Sequence, residues 1–347
     1  MITEALKKVA AGNDLTYDEA YACMDEIFGG EACEIVTAGY LTALHMKGET
    51  TDEITASANG MRNHAEELPH DGLDVLEIVG TGGDCANSFN ISTTSGMVAA
   101  AAGVPIAKHG NRSVSSKSGA ADVLEALGVN ITITPEKMGE VLRKCNMSFM
   151  FAQVYHKAMK YVAPVRKALG IPTIFNILGP LTNPAKAGMQ ILGVYKEELV
   201  DQMAPVLSGL GVERGMIVYG QDCLDEISMS APTTVCEINH GQFTKYTIQP
   251  EDFGFTTCDK SELVGGDPAE NAQITKDILS GKETGAKRNA VVMNAAACIY
   301  IAGKVDTLQA AAKIASLFND GKFDEIAAQY QASAPTEETC AGLYVLA

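Results

Sequence analysis

Apolar positions in the first 66 residues recur at helical spacing. Ile2, Ala5, Leu6 and Val9 share one face, and Gly12-Asn13 ends that segment. Thr16 followed by Tyr17-Asp18-Glu19 predicts a capping box that opens a second helix. It runs to Phe28, where Gly29-Gly30 breaks it. A third helix is expected from Cys33 to Lys47, and Thr51 is expected to cap a fourth ending near Glu67. Four short amphipathic helices with tight turns make a small bundle, marginal alone, which must pack on something else.

Near Pro69 the period changes. Val75 to Val79 is a short apolar run stopped by Gly80, which predicts a buried strand, and a helix is expected to start near Ser92-Thr93. Further strands are expected at Val104 to Ala107, Met147 to Phe151, Gln190 to Tyr195 and Met216 to Tyr219. Asn130 to Thr134 is expected to be extended. Helices are predicted from Ser118 to Leu127, from Pro135, from His156 to Leu169, between the strands at 190 and 216, and from Pro268 onward. Residues 173–185, rich in Pro, Gly and Asn, predict a structured loop. Thr233 to Asn239 and Phe243 to Ile248 flank His240-Gly241 as a hairpin. This alternation predicts an α/β domain with a mostly parallel central sheet flanked by helices, beside the small helical domain.

Composition narrows the class. The 347 residues are 46% hydrophobic and 20% charged, a globular balance. A net charge of −17 argues against nonspecific nucleic-acid binding, which depends on Lys and Arg contacts to phosphate. Nine cysteines with no CxxC pair read as reduced thiols. The N-terminus lacks a signal core, and the run around Met97 to Ala102 is far too short to span a bilayer. A cytoplasmic protein without a membrane segment is expected.

Candidate chemistry lies in two Gly/Ser/Thr-rich stretches, 80–93 and 108–119. GTGGD, residues 80–84, either converges amides on an anion or is a plain tight turn. Cys85 stands where a dinucleotide fingerprint needs its third glycine. NIST, residues 90–93, is either a helix cap or a phosphate seat whose serine can ligate Mg²⁺. KHGNRSVSSKSG places Lys108, His109, Arg112 and Lys117 within ten residues, against the acidic balance of the chain. Expected after a strand and before a helix, it reads as an anion-binding loop at the carboxyl end of a sheet. Asp225 and Glu226 of LDE are either surface acids or Mg²⁺ ligands. Arg166 in PVRKALG either faces solvent or grips a substrate carboxylate.

Taken in order, GTGGD…NIST, KHGNRSVSSKSG, VRKxLG, TIFNxLGPLTNP, LDE and GGDPxENA…NAA resemble the anthranilate phosphoribosyltransferases across nearly the whole chain. The resemblance implies a helical domain of residues 1–68 joined by part of 160–190, and an α/β domain of residues 72–347. It implies that Gly80, Gly83, Asp84, Ser88, Asn90, Ile91, Ser92 and Thr93 hold phosphoribosyl pyrophosphate. Lys108, His109, Gly110, Asn111, Arg112, Ser113, Val114, Ser115, Ser116 and Ala120 complete that site. Gly80, Asn111 and Arg166 are similar to anthranilate-binding residues, and Ser92, Asp225 and Glu226 to Mg²⁺ ligands. No covalent nucleophile or general base is implied, although His109 and His156 are candidate proton acceptors. The resemblance also implies transfer of phosphoribosyl to the anthranilate amine in tryptophan biosynthesis, and a homodimer joined through the helical domain. Cys85 and Cys223 replace usual glycines, Ala120 a frequent serine and Lys157 a proline. The same architecture leaves two alternatives, a pyrimidine nucleoside phosphorylase or a non-catalytic nucleic-acid-binding relative.

Overall fold

The computed structural model describes residues 1–113 and 116–319. Four helices come first: α1 (Ile2–Ala10), α2 (Tyr17–Phe28), α3 (Glu34–Lys47) and α4 (Thr51–Asn63). The Thr16 capping box forms as expected. The fourth helix is capped one residue earlier than expected, by Thr50, whose box partner is Glu53. Glu53 is fully buried, because its carboxylate also accepts from the Leu15 amide and the Lys47 ammonium, both at 2.9 Å. That capping acid therefore ties the α1–α2 connection to the end of α3.

The α/β part follows in the order β1 (Leu76–Gly80), α5 (Ile91–Ala101), β2 (Ile106–Gly110), α6 (Ala120–Ala126), α7 (Pro135–Cys145) and β3 (Met147–Phe151). Then come α8 (Ala152–Tyr155), α9 (Ala163–Leu169), α10 (Phe175–Leu178), β4 (Met189–Gly193), α11 (Glu198–Gly209) and β5 (Arg214–Gly220). The chain continues as β6 (Thr233–Asn239), β7 (Gln242–Ile248), α12 (Pro268–Leu279), α13 (Ala286–Ile301) and α14 (Leu308–Asn319). One sheet runs β3-β2-β1-β4-β5-β6-β7. Strands β3 to β5 are parallel, and the expected hairpin β6–β7 closes one edge antiparallel.

Residue alternation along the strands feeds two layers. Leu76, Ile78, Met216 and Val218 face a core shared with α5 and α13. Leu192, Val194 and Ile217 face α11 and the N-terminal bundle. Val162, Val165, Phe175 and Leu181 belong to that second core, so the 160–181 stretch packs with the helical bundle. Helix α13 is buried from Ala290 to Ile299, and its small side chains let it lie close to α5, where Ser95 Oγ donates to the Val291 carbonyl at 3.3 Å.

Several further expectations change. The strand expected at 104–107 is β2, and it continues through Lys108 and His109 to Gly110 because its pairing with β3 persists to Gly110–Phe151. Residues 130–134 are a turn, with the Thr132 amide and hydroxyl both donating to Asn130 Oδ1. Of the helix expected over 156–169, Lys157–Tyr161 form a 3₁₀ turn and only Ala163–Leu169 are α-helical, with Pro164, which cannot donate an amide, in the first turn of α9. Within 173–185 the loop contains α10 and a 3₁₀ turn at Gly179–Leu181.

Candidate active site

Strand order reverses beside β1, whose neighbours are β2 and β4. In parallel α/β sheets the crevice at such a point, outside the carboxyl ends, is where ligands bind. Strands β1 and β4 end there in register, at Gly80 and Gly193. The 221–226 turn lies directly over both glycines. A Cβ on Gly193 would fall 1.6 Å from the Asp225 carbonyl oxygen, and one on Gly80 would fall 2.2 Å from Asp225 Oδ2. A side chain at Gly193 therefore displaces the turn's backbone, whereas one at Gly80 meets the Asp225 carboxylate.

The turn is closed by reciprocal hydrogen bonds between Gly220 and Leu224, at 2.8 and 3.2 Å. Asn294 on α13 anchors the chain just beyond the turn: its Oδ1 accepts from the Ile227 amide at 3.0 Å and its Nδ2 donates to the Ile227 carbonyl at 2.9 Å. Asp225 and Glu226 are thereby buried. The Gly82 amide donates to Asp225 Oδ2 at 2.7 Å. The Ser92 amide and hydroxyl donate to Glu226 Oε1 at 3.1 and 2.5 Å. Asp84 Oδ2 accepts from the Asp225 amide at 3.4 Å. The glycine loop, the N-terminus of α5 and the acidic turn form one cluster.

Its electrostatics favour a cation. Burial, with Asp84 and Glu226 nearby, holds the Asp225 carboxyl well above the usual range. Burial pushes Glu226 up to about 7, opposed by the Ser92 hydroxyl and by Lys108. Lys108 is buried and donates to the Ile78 carbonyl at 2.6 Å; burial lowers its ammonium pKa, against the pull of Glu226 and Glu77. Carboxylate and hydroxyl oxygens are hard donors of the kind Mg²⁺ takes, and Mg²⁺ uses few protein ligands. Among the described residues no three His, Cys, Asp or Glu side chains close a metal cage by themselves.

The second loop leaves the end of β2. Ser113 and Gly119 both donate their amides to Asp122 Oδ2 at 2.9 Å, which folds the loop onto α6. Arg112 pairs with Asp122 and Glu125 and lies over the Phe151 ring. Asn111 Oδ1 accepts from the Arg112 amide at 2.8 Å. Val114 and Ser115, both expected at the site, lie outside the described residues. Asn90 Nδ2 donates to the Ser118 carbonyl at 3.2 Å, joining the two Gly/Ser/Thr-rich stretches.

Known proteins share the two-part architecture. The family model described as "Glycosyl transferase family, a/b domain" matches residues 72–323, and its "helical bundle domain" counterpart matches residues 3–65. Over 322 residues the chain is 60% identical to the anthranilate phosphoribosyltransferase of Lachnoclostridium phytofermentans, covering 93% of this chain and 95% of that one. The chain belongs to the anthranilate phosphoribosyltransferase family. The crystal structure of the Thermus thermophilus member superposes with a TM-score of 0.87 at 41% identity, covering 96% of this chain and 99% of that one. A Saccharomyces cerevisiae member, solved in complex with phosphoribosyl pyrophosphate and Mg, superposes with a TM-score of 0.84 at 27% identity, covering 98% of each chain.

The other positions expected of an anthranilate phosphoribosyltransferase differ in burial and pairing. Arg166 does not face open solvent. It is half-buried on α9, over the Phe175 ring at 5.4 Å, and burial lowers its pKa. Lys108 and His109 belong to β2 rather than to an open loop, and both are buried. The His109 and His156 rings lie 4.9 Å apart, each with an unpartnered Nε2. Burial holds His109 well below its ordinary pKa and lowers His156 to about 4, so both rings are neutral near pH 7. Asn90, not Ser92 or Thr93, occupies the cap position of α5. Cys85 and Cys223 have φ of 58° and 63°, the left-handed region that suits the glycines they replace. Lys157 pairs with Glu66 at the surface.

Sequence reasoning missed the supports. Gly193, Asn294 and Asn271 have no charge or nucleophile to mark them. The one available signal was the GGDPxENA…NAA pair of motifs, which holds Asn271 and Asn294.

Proposed function

We propose that this chain transfers the phosphoribosyl group of 5-phosphoribosyl 1-pyrophosphate to the amine of anthranilate, giving N-(5-phosphoribosyl)anthranilate and pyrophosphate. The observation that carries the reading is the joining of the glycine loop and the α5 N-terminus to the buried Asp225–Glu226 turn at the sheet's switch point. Polyanionic pyrophosphate approaches two buried acids only with a cation between them. Family membership points the same way.

Phosphoribosyl pyrophosphate lies along Gly80, Gly83, Asp84, Ser88 and Asn90 to Thr93, with Lys108 to Ser116 and Ala120 on the other side. Anthranilate lies by Gly80, Asn111 and Arg166. Ser92, Asp225 and Glu226 hold Mg²⁺, which supplies positive charge against the departing pyrophosphate when bound. Leaving-group loss makes C1 of the ribose oxocarbenium-like, so the protein supplies no nucleophile. Glycine-loop amides stabilise negative charge on the leaving group. Arg166 takes the anthranilate carboxylate and turns the amine toward C1, an alignment worth up to roughly 7–11 kcal/mol. The candidate acceptors His109 and His156 are buried and held below their ordinary pKa, so the amine proton, acidic once the nitrogen is alkylated, leaves to water.

The enzyme acts in tryptophan biosynthesis in the cytoplasm; none of the described helices is long and apolar enough to cross a membrane. Residues 1–68, with part of 160–190, form the helical domain, and 72–347 the α/β domain. The enzyme is a homodimer through the helical domain, where α3 exposes Ile35 and Met46 at 83% and 81%. Loss of anthranilate fluorescence with phosphoribosyl pyrophosphate and Mg²⁺ tests the function. No transfer, or phosphate-dependent release of base from thymidine or uridine instead, refutes it.

A further inference from the structure

GGDPxENA has no role in the chemistry above. Its residues Gly265 to Ala272 form the start of α12 and the strap before it. The strap runs along the glycine loop: Phe89 donates its amide to the Leu263 carbonyl at 3.1 Å, and Gly265 to the Asn87 carbonyl at 2.9 Å. Asn271 is 1% exposed, and its side-chain amide is used in one direction only. Its Oδ1 accepts from the Gly266 amide at 2.7 Å, and its Nδ2 donates to Asn90 Oδ1 at 2.9 Å. Asn90 Nδ2 is then left to donate to the Ser118 carbonyl at 3.2 Å. Ser118 Oγ also donates to Asn90 Oδ1, at 3.4 Å.

We propose that Asn271 is a positioning residue that sets the orientation of the Asn90 side chain, and through it the hydrogen bond from Asn90 to the Ser118 carbonyl that joins the two phosphate-binding stretches. An amide has one donor end and one acceptor end, so the polarity of this relay propagates from Gly266 to Ser118. Reversing it at Asn271 reverses it at Asn90. With its Oδ1 facing an acceptor, Asn90 rotates and its Nδ2 leaves the Ser118 carbonyl. Asn271 touches no substrate; it acts through Asn90 on the phosphoribosyl pyrophosphate half of the site. This assignment rests on the transferase reading above.

The test compares Asn271→Asp with Asn271→Ala. Aspartate keeps the shape and the bond from Gly266 but cannot donate to Asn90. Alanine loses volume but leaves Asn90 free to keep its bond to Ser118. Expected is a rise of about tenfold or more in KM for phosphoribosyl pyrophosphate in Asn271→Asp, with a smaller rise in Asn271→Ala and KM for anthranilate unchanged in both. Calorimetric titration of phosphoribosyl pyrophosphate with Mg²⁺ follows the same order. A purely packing role gives the opposite order, with alanine the worse variant, and overturns the proposal. If Asn271→Asp does not fold, Asn271→Ala decides: circular dichroism establishes its fold, a rise in phosphoribosyl pyrophosphate KM well below about tenfold supports the relay, and a rise of about tenfold or more marks a packing role and overturns it. A wild-type enzyme that makes no phosphoribosylanthranilate overturns the functional reading instead, so the two failures are distinct.

Discussion

Gly193→Ala is the substitution whose effect the structure defines most sharply. The new methyl carbon would sit 1.6 Å from the backbone oxygen of Asp225, where ordinary contacts begin near 3.4 Å. Either β4 or the acidic turn must give way by roughly 2 Å to restore carbon–oxygen contact distance. Strand β4 lies in the middle of the sheet, between β1 and β5, so the turn moves. Asp225 and Glu226 then leave Gly82 and Ser92. A displacement of about 1 Å in a catalytic group can cost about 100-fold in rate, so kcat/KM is expected to fall at least about 100-fold. Overpacking costs about 1–3 kcal/mol of stability, which a folded domain of this size tolerates. Gly80→Ala meets the end of the Asp225 side chain at 2.2 Å, which can rotate, and is expected to be the milder of the two. The assay is continuous anthranilate fluorescence across a Mg²⁺ series, with melting curves for both variants. Gly193→Ala with wild-type turnover and Mg²⁺ dependence, or with milder effects than Gly80→Ala, refutes the packing account of the site.

Asp225→Asn with Glu226→Gln is expected to abolish Mg²⁺-dependent turnover while keeping the fold; full activity in that double variant shows the metal assignment to be wrong. Arg166→Ala is expected to raise KM for anthranilate about 10- to 100-fold and to leave KM for phosphoribosyl pyrophosphate within about twofold, since only one charged contact is lost. Unchanged anthranilate kinetics removes Arg166 from the site. His156, ordinarily near 6.5, is lowered to about 4 by burial. Between those values the unfolded chain binds more protons, so stability present above about pH 6.5 is lost as pH falls toward about 4, by up to about 3 kcal/mol. Denaturant titrations at pH 7 and 4.5 check this: wild type is expected to lose more stability than His156→Asn, and equal losses refute it.

Much of the fold was legible because local chemistry and tertiary structure agree. The Thr16–Glu19 box, Pro135 at the start of α7, and His240-Gly241 at the hairpin each act within a few residues. Errors fell where a distant partner overrode a local preference. Lys108 and His109 look like loop residues, yet β3 keeps them in the sheet and the Ile78 carbonyl takes the Lys108 ammonium. The Thr51 cap, by contrast, was a local misreading: Thr50 takes the position because Glu53, three residues on, completes its box. In the site, acids, glycines and the basic stretch were visible as residue types. Their neighbours in space were not.

By itself the sequence determined the class of fold, the helix and strand inventory, and the kinds of groups offered to a phosphorylated ligand. These follow from periodicity, caps and turn residues, which depend on short-range geometry. Only the tertiary structure decided which of those groups meet. Gly82 and Asp225 are 143 positions apart, as the hydrogen bond between them records. Gly80 and Gly193 are needed because a turn from elsewhere in the chain rests on them. Sheet order brings these segments to the carboxyl ends of the central strands, where the backbone of the turn rests on Gly193 and the Asp225 side chain on Gly80.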